Sequence, residues 1–236
     1  MEYKMITNNL KYNPEQYLQL VEKLGDTVLQ KYMEDEISFI NDILEGKNYD
    51  VIDLGAGYGR IIPHIVKRVN SIIAIELNDD MYSELIKNQK NAKNVSCINN
   101  DITKLSDYLQ IKANNNLFLL CQNTLGVIEG DYLKMLDDIK KLSKNGNIEI
   151  IISVFNKEVL SDFGLYLYEK LKDMVGDINL KKTNFTAGKF ISETGYCTKW
   201  WSEAEIYDLK DRLNAKMTSK LVKKEYSLYH LQILPL

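Results

Sequence analysis

The stretch Val51-Ile52-Asp53-Leu54-Gly55-Ala56-Gly57-Tyr58-Gly59-Arg60 decides the fold. Tyr49 to Leu54 is a short apolar run, and the glycines at 55, 57 and 59 stop it abruptly, which predicts strand, tight turn, helix. In that setting a glycine loop lets a ligand approach the backbone. A dinucleotide fingerprint, GxGxxG, needs its third glycine at position 60, where this chain has Arg60. NAD-dependent hydride chemistry is therefore disfavoured. Asp53, just before the loop, suits a cationic or zwitterionic ligand better than a pyrophosphate.

Outward from the loop the pattern repeats. Ser71 to Leu77 is rich in β-formers, Asp79 to Asn91 is helical in spacing, and Val95 to Asn99 and Asn116 to Cys121 read as further strands. Asp131 to Leu142 carries an apolar helical face, and Gly146 to Phe155 is the longest strand candidate. Such alternation predicts an α/β fold, doubly wound, with a mainly parallel sheet and helices on both faces. Upstream, residues 14–45 have apolar residues at helical spacing, giving one or two amphipathic helices. Downstream, Lys157 to Phe190 reads as a helix followed by a polar stretch, and breaks the rhythm as an insertion would. Ser202-Glu203-Ala204-Glu205 is a capping box that starts a helix, and Lys220 to Leu236 suits a final strand or hairpin. The expected organisation is one domain over 1–236: an N-terminal helical lid (1–46), a core (47–155), a cap insertion (156–199) and the end of the sheet (200–236).

Composition narrows the classes. Hydrophobic residues at 45% of 236 supply a real core, so disordered and fibrous chains are excluded. Thirty Lys and Arg against 33 Asp and Glu give a net charge of -3, which offers no counterion-release drive toward nucleic acid. Cys97, Cys121 and Cys197 form no CxxC pair, so neither a disulfide framework nor a metal site is expected, and a reducing cytoplasm fits. No segment approaches about 18 uninterrupted apolar residues, and the start lacks the pattern of an export signal, so no membrane partner is expected.

Asp53, Gly55, Gly57 and Gly59 together resemble the first motif of the class I, Rossmann-like S-adenosylmethionine-dependent methyltransferases: an acidic residue followed by xGxGxG. The resemblance covers Tyr49 to Phe155 well and Trp200 to Leu236 loosely. It implies a seven-stranded sheet, S-adenosyl-L-methionine as cofactor, and Asp53, Gly55, Ala56, Gly57 and Gly59 around the methionine part. Glu76, 23 residues beyond Asp53, ends the second strand where a carboxylate accepts from both ribose hydroxyls; alone it reads more often as a solvated surface charge, and its register with the glycine loop favours the ribose role. With it goes Leu77. Asp101 and Ile102 match the adenine-contacting pair that follows the third strand, the alternative being an Asx turn into the next helix.

Gln122 and Asn123, after the fourth strand, stand where family members face the transferred methyl group. They either orient substrate or satisfy local backbone. The Asn/Asp-Pro-Pro-aromatic sequence used on planar amides and exocyclic amines is absent, because Asn123 is followed by Thr124 and Leu125. Adenine-N6 methylation is therefore not expected. Candidate substrate residues are Asn123 and the aromatics Tyr12, Tyr17, Phe155, Tyr166, Tyr196 and Trp200, each of which also reads as packing. His64 and His230 have no recognisable partner, and no catalytic base is nominated. The expected activity is methyl transfer to N or O of a small molecule. RNA or protein methylation and a non-catalytic scaffold are the alternatives.

Overall fold

Strands β1 (Asp50–Leu54), β4 (Asn115–Leu120) and β5 (Asn147–Phe155) are apolar along most of their length, as strands covered on both faces must be. Val51, Leu117, Leu119 and Ile151 enter one core, while Ile52, Leu54, Phe118, Leu120, Ile150 and Ile152 enter the other. With β2 (Ser71–Glu76), β3 (Val95–Asn99), β8 (Ala215–Val222) and β9 (Tyr226–Ile233), they form a seven-stranded sheet of order β3-β2-β1-β4-β5-β9-β8. β9 lies antiparallel to β5 and β8 antiparallel to β9; the other pairs are parallel. This is a computed structural model, and it describes residues 14–18, 25–111, 115–128 and 132–234.

On one face lie α2 (Thr27–Leu44), α3 (Ile62–Ile65) and α4 (Asp79–Gln89), which bring Ile40, Leu44, Ile62, Ile65 and Leu85 to the sheet. On the other face lie α5 (Leu105–Tyr108), α7 (Tyr132–Leu142) and α10 (Glu203–Arg212). α1 (Pro14–Tyr17) precedes them and α6 (Thr124–Val127) is a single turn after β4. The helix expected after the glycine loop is only the four residues of α3, with Pro63 inside its first turn.

The insertion differs from the single helix read from the sequence. It is a 3-10 turn (Lys157–Val159), a π-helical turn (Leu160–Gly164), α8 (Leu165–Lys170), α9 (Lys172–Val175) and a hairpin of β6 (Lys189–Ile191) and β7 (Cys197–Lys199). The hairpin escaped notice because its strands have three residues each, too short for a period-2 signal. Its aromatics pack with Leu29 and Tyr32 of α2 and with Phe155 into a third core. The capping box forms as expected: the Glu205 amide donates to Ser202 Oγ, and Ser202 N donates to the Glu205 carboxylate. The terminal hairpin starts at Ala215, five residues before the expected point.

Asp138 of α7 is buried and takes Lys134 and Lys141, each at 3.0 Å, with Ser106 N at 3.4 Å. Burial pushes its carboxyl up, but these donors outweigh burial and hold it down to about 2. A depressed carboxyl stabilises the fold above its unfolded value of about 3.9 and loses that contribution as pH falls through the folded value. Asp138→Asn is therefore expected to lower stability near neutral pH, and its deficit against the parent chain should shrink toward zero by about pH 2. Urea unfolding at several pH values measures this.

Candidate active site

Open α/β sheets bind ligands in the crevice at the carboxyl edge where the chain order reverses, which in this sheet falls between β1 and β4. The glycine loop lines one wall. Gly55, Gly57 and Gly59 all have positive φ, at 73°, 57° and 88°, a region that side chains other than Asn and Asp avoid. The amides of Gly55 and Ala56 both donate to the Ile75 carbonyl at 2.9 Å. Gly57 N donates to Glu76 Oε2 and Asn78 N to Glu76 Oε1, both at 2.8 Å, so Glu76 ties the loop to the end of β2. Burial raises the Glu76 carboxyl and the backbone donors of Asn78, Gly57 and Leu77 partly offset that. Leu77 beside it is 47% exposed.

Asp53 is buried at the end of β1. Burial pushes its carboxyl up to about 7; Arg60 opposes the shift, and Glu36 and Glu76 add to it. Asp101 is spent in part on the Asx alternative: its Oδ1 accepts from Thr103 N at 2.9 Å and Thr103 Oγ1 at 2.7 Å, capping the 3-10 turn Ile102–Lys104. Its Oδ2 lies 3.8 Å from Lys104 Nζ. Ile102 is half-buried against the core beside it.

The opposite wall is the end of β4. Gln122 and Asn123 are both in the left-handed region, at φ 51° and 58°. Asn123 is buried: its Nδ2 donates to Thr198 Oγ1 and the Lys199 carbonyl, both at 3.1 Å, and its Oδ1 accepts from Phe155 N at 3.4 Å. Its side chain thus joins β5 to β7, which is the structural use among the two alternatives. Gln122 N donates to Glu36 Oε1 at 2.5 Å and to Ser153 Oγ at 2.8 Å.

Glu36 is the residue that sequence reading missed. It sits on α2 at 0% exposure, accepts from Arg60 Nη2 through Oε2 and from Ser153 Oγ through Oε1, and Tyr32 Oη donates to the same Ser153 at 2.9 Å. Glu36 sits at helical spacing with Tyr32 and Ile40, so a carboxylate in the buried stripe of an amphipathic helix was the available signal. Burial pulls the Arg60 guanidinium down, and Glu36, Cys121 and Tyr17 more than restore its preference for the charged form.

The aromatic candidates disperse. Tyr12 lies outside the described residues. Tyr17 meets Tyr58 edge-on at 6.4 Å beside the loop. Phe155 and Trp200 are core residues, stacked on each other at 4.7 Å, with Trp200 Nε1 donating to Tyr168 Oη at 2.8 Å. Tyr196 packs at the edge of that cluster, and Tyr166 is 49% exposed on α8. The substrate roles expected for Phe155 and Trp200 give way to packing, because large rings at this position close the third core. His230 does have partners: Thr218 Oγ1 at 2.6 Å from Nδ1 and Glu149 Oε2 at 2.6 Å from Nε2, toward the opposite edge of the sheet. His64 is exposed. Among the described residues no cluster of His, Cys, Asp and Glu could hold a metal, and no helix is long and apolar enough to cross a membrane.

No family profile matches the chain. Ribosomal RNA small subunit methyltransferase A of Clostridium botulinum (strain Kyoto, type A2) is 26% identical over 141 residues, 58% of this chain and 49% of that protein. This chain spans half or less of the length of the curated relatives it matches. Among solved structures, an S-adenosylmethionine-dependent methyltransferase from Clostridium acetobutylicum superposes with a TM-score of 0.60 at 15% identity, covering 93% of this chain and 96% of that one. The fold is that of the class I S-adenosylmethionine-dependent methyltransferases. A Burkholderia thailandensis 1,6-didemethyltoxoflavin-N1-methyltransferase, solved with that substrate and S-adenosylhomocysteine, is similar at a TM-score of 0.59 and 16% identity over 93% of this chain and 86% of its own.

Within the methyltransferase fold, Asp53 carries a measurable electrostatic cost. A carboxyl raised in the folded state contributes its full stability below the unfolded value of about 3.9 and loses it as pH rises through about 7. Asp53→Asn is thus expected to raise the melting temperature of the ligand-free chain by several degrees at about pH 8 and to leave it nearly unchanged at about pH 4. Differential scanning calorimetry at both values distinguishes this from a pH-independent packing effect.

Proposed function

We propose that this chain is an S-adenosylmethionine-dependent methyltransferase that transfers a methyl group to N or O of a small molecule by in-line displacement. The observation that carries the reading is the convergence of the glycine loop, Glu76, Asp101 and the Gln122 turn on one edge of the sheet, at its switch point. The residues fit the nucleoside. A Cβ built on Gly57 meets nothing within 4 Å, so the backbone there is uncovered and approachable. Leu77 offers an exposed apolar surface beside Glu76, suited to the flat face of a base.

In this reading the loop from Gly55 to Gly59, with Asp53, holds the amino-acid part, Glu76 the ribose, and Asp101 with Leu77 and Ile102 the adenine. When bound, the cofactor supplies an activated methyl group on a sulfonium and a neutral leaving group. The chain therefore has to align and dry the site: holding the acceptor atom in line at about 3 to 3.5 Å can supply on the order of 7 kcal/mol or more. Residues 47–155 serve as the cofactor-binding core, 156–199 as a cap over it, and 1–46 and 200–236 as the flanks of one domain. Three free cysteines, two of them buried, support a cytoplasmic setting.

A small acceptor is supported by the packed aromatic cap and by the net charge of -3. The partial likeness to a ribosomal RNA methyltransferase favours a second reading, an RNA acceptor. Calorimetry with S-adenosylhomocysteine is expected to give micromolar or tighter binding that Gly57→Val or Asp53→Ala removes; no binding by the parent chain overturns the reading. Methylation of a metabolite panel and of ribosomal RNA with labelled cofactor then separates the acceptors, the RNA reading requiring label in RNA that falls steeply with added salt.

A further inference from the structure

Resting on the methyltransferase reading, we propose that Arg60 is the carboxylate anchor for the cofactor's amino-acid tail, and that Glu36 is the positioning residue that aims it. The Arg60 side chain is only 11% exposed. Its Nη2 is committed to Glu36, while its Nη1 is buried with no hydrogen-bond partner among the described residues. A guanidinium is always charged and carries five donors in a fixed fork, and a buried donor left unpaired costs free energy that a fold rarely tolerates without a use. The use that fits is an acceptor that arrives with the ligand.

Glu36 determines which end of the fork is left over. Its Oε1 is occupied by the Gln122 amide and Ser153 Oγ, anchoring the carboxylate to β4 and β5. Only Oε2 meets Arg60, so Glu36 engages one nitrogen of the guanidinium and leaves the other unused. The groups acting on Arg60 are Glu36, Asp53, Cys121 and Tyr17, with Glu76 beyond Asp53. Acids thus stand beside the single guanidinium, which offers a counterpart to each end of a zwitterion: its anionic end meets Arg60 and its ammonium faces the acids. An uncharged tail leaves Nη1 unpaired.

The test compares S-adenosylhomocysteine with 5′-methylthioadenosine, which keeps base and sugar but lacks the amino-acid tail. Calorimetry on the parent chain is expected to show the tailed ligand binding roughly 10- to 100-fold tighter, the range of one charge-assisted hydrogen bond. Glu36→Gln keeps an acceptor for Gln122 and Ser153 but releases the guanidinium; it should cut that ratio at least severalfold while leaving 5′-methylthioadenosine affinity within about twofold. Arg60→Lys, which preserves charge without the fork, should do the same and serves if Glu36→Gln does not fold. A ratio unchanged in a folded variant overturns the proposal, as does equal weakening of both ligands with a lowered melting temperature, which marks a purely structural pair. A parent chain that binds neither ligand instead overturns the methyltransferase reading itself.

Discussion

A carboxylate with no access to water has to be answered from every side, and Glu36 is answered by three elements at once. Its partners are the glycine-loop arginine, the amide at the end of β4 and the hydroxyl of Ser153 on β5. Removing one member of such a buried pair typically costs about 3–5 kcal/mol, because the survivor is left charged in a dry place. The same contact stabilises an uncommon backbone. Two successive left-handed residues, Gln122 and Asn123, cost on the order of 1–3 kcal/mol each and persist only where the surroundings over-determine them. Here the Gln122 amide is held by two acceptors and the Asn123 side chain by three partners.

From that constraint follows the character of the N-terminal helix. Besides Glu36, α2 places Tyr32 against Tyr226 at 4.6 Å and Phe155 at 5.0 Å, and Asp35 accepts from Tyr226 Oη at 2.8 Å. Leu29 and Tyr32 belong to the core under the cap, whereas Ile40 and Leu44 belong to the core under β1. One helix thus spans two cores and carries a buried ion between them. The Glu36–Arg60 contact ties α2 to the glycine loop, so hinging α2 away would part a buried carboxylate from its guanidinium.

Legibility in the sequence followed the range of the interactions. Strand–glycine–helix punctuation, the run of parallel strands and the Ser202 capping box are local, and they were readable because each depends on residues within a few positions. Glu76 was readable as a strand-end acid, but its bond to Gly57 was not, since that depends on β1 and β2 lying side by side. Asn123 and Trp200 were ambiguous for the opposite reason. Their types suit ligand contact as well as structure, and only distant partners separate the two: Thr198 and Lys199 take the Asn123 side chain, and the third core, built from residues as distant as Leu29 and Leu228, packs Trp200. Arg60 was read only for what it excludes, because its meaning lies in Glu36, 24 residues upstream on another element.

If the proposed function holds, the electrostatics of the crevice limit how methyl transfer is accelerated. Asp53, Glu36 and Glu76 surround the place where a cationic ligand would lie, but acids that attract a cation stabilise it before the reaction as much as during it. Their contribution is therefore to affinity. Rate has to come from geometry, and the parts of the site that fix geometry are those bound on several sides: the loop tied by Glu76, the Gln122 turn tied by Glu36 and Ser153, and the cap tied by Asn123. Of the two histidines, His64 is exposed on α3 and His230 is engaged with Thr218 and Glu149, and among the described residues no hydrogen bond ties either to Asp53, Glu76 or the Gln122 turn. An acceptor that is already a free amine or an acidic hydroxyl at neutral pH suits such a site, since either attacks without a dedicated base and surrenders its proton to water afterwards.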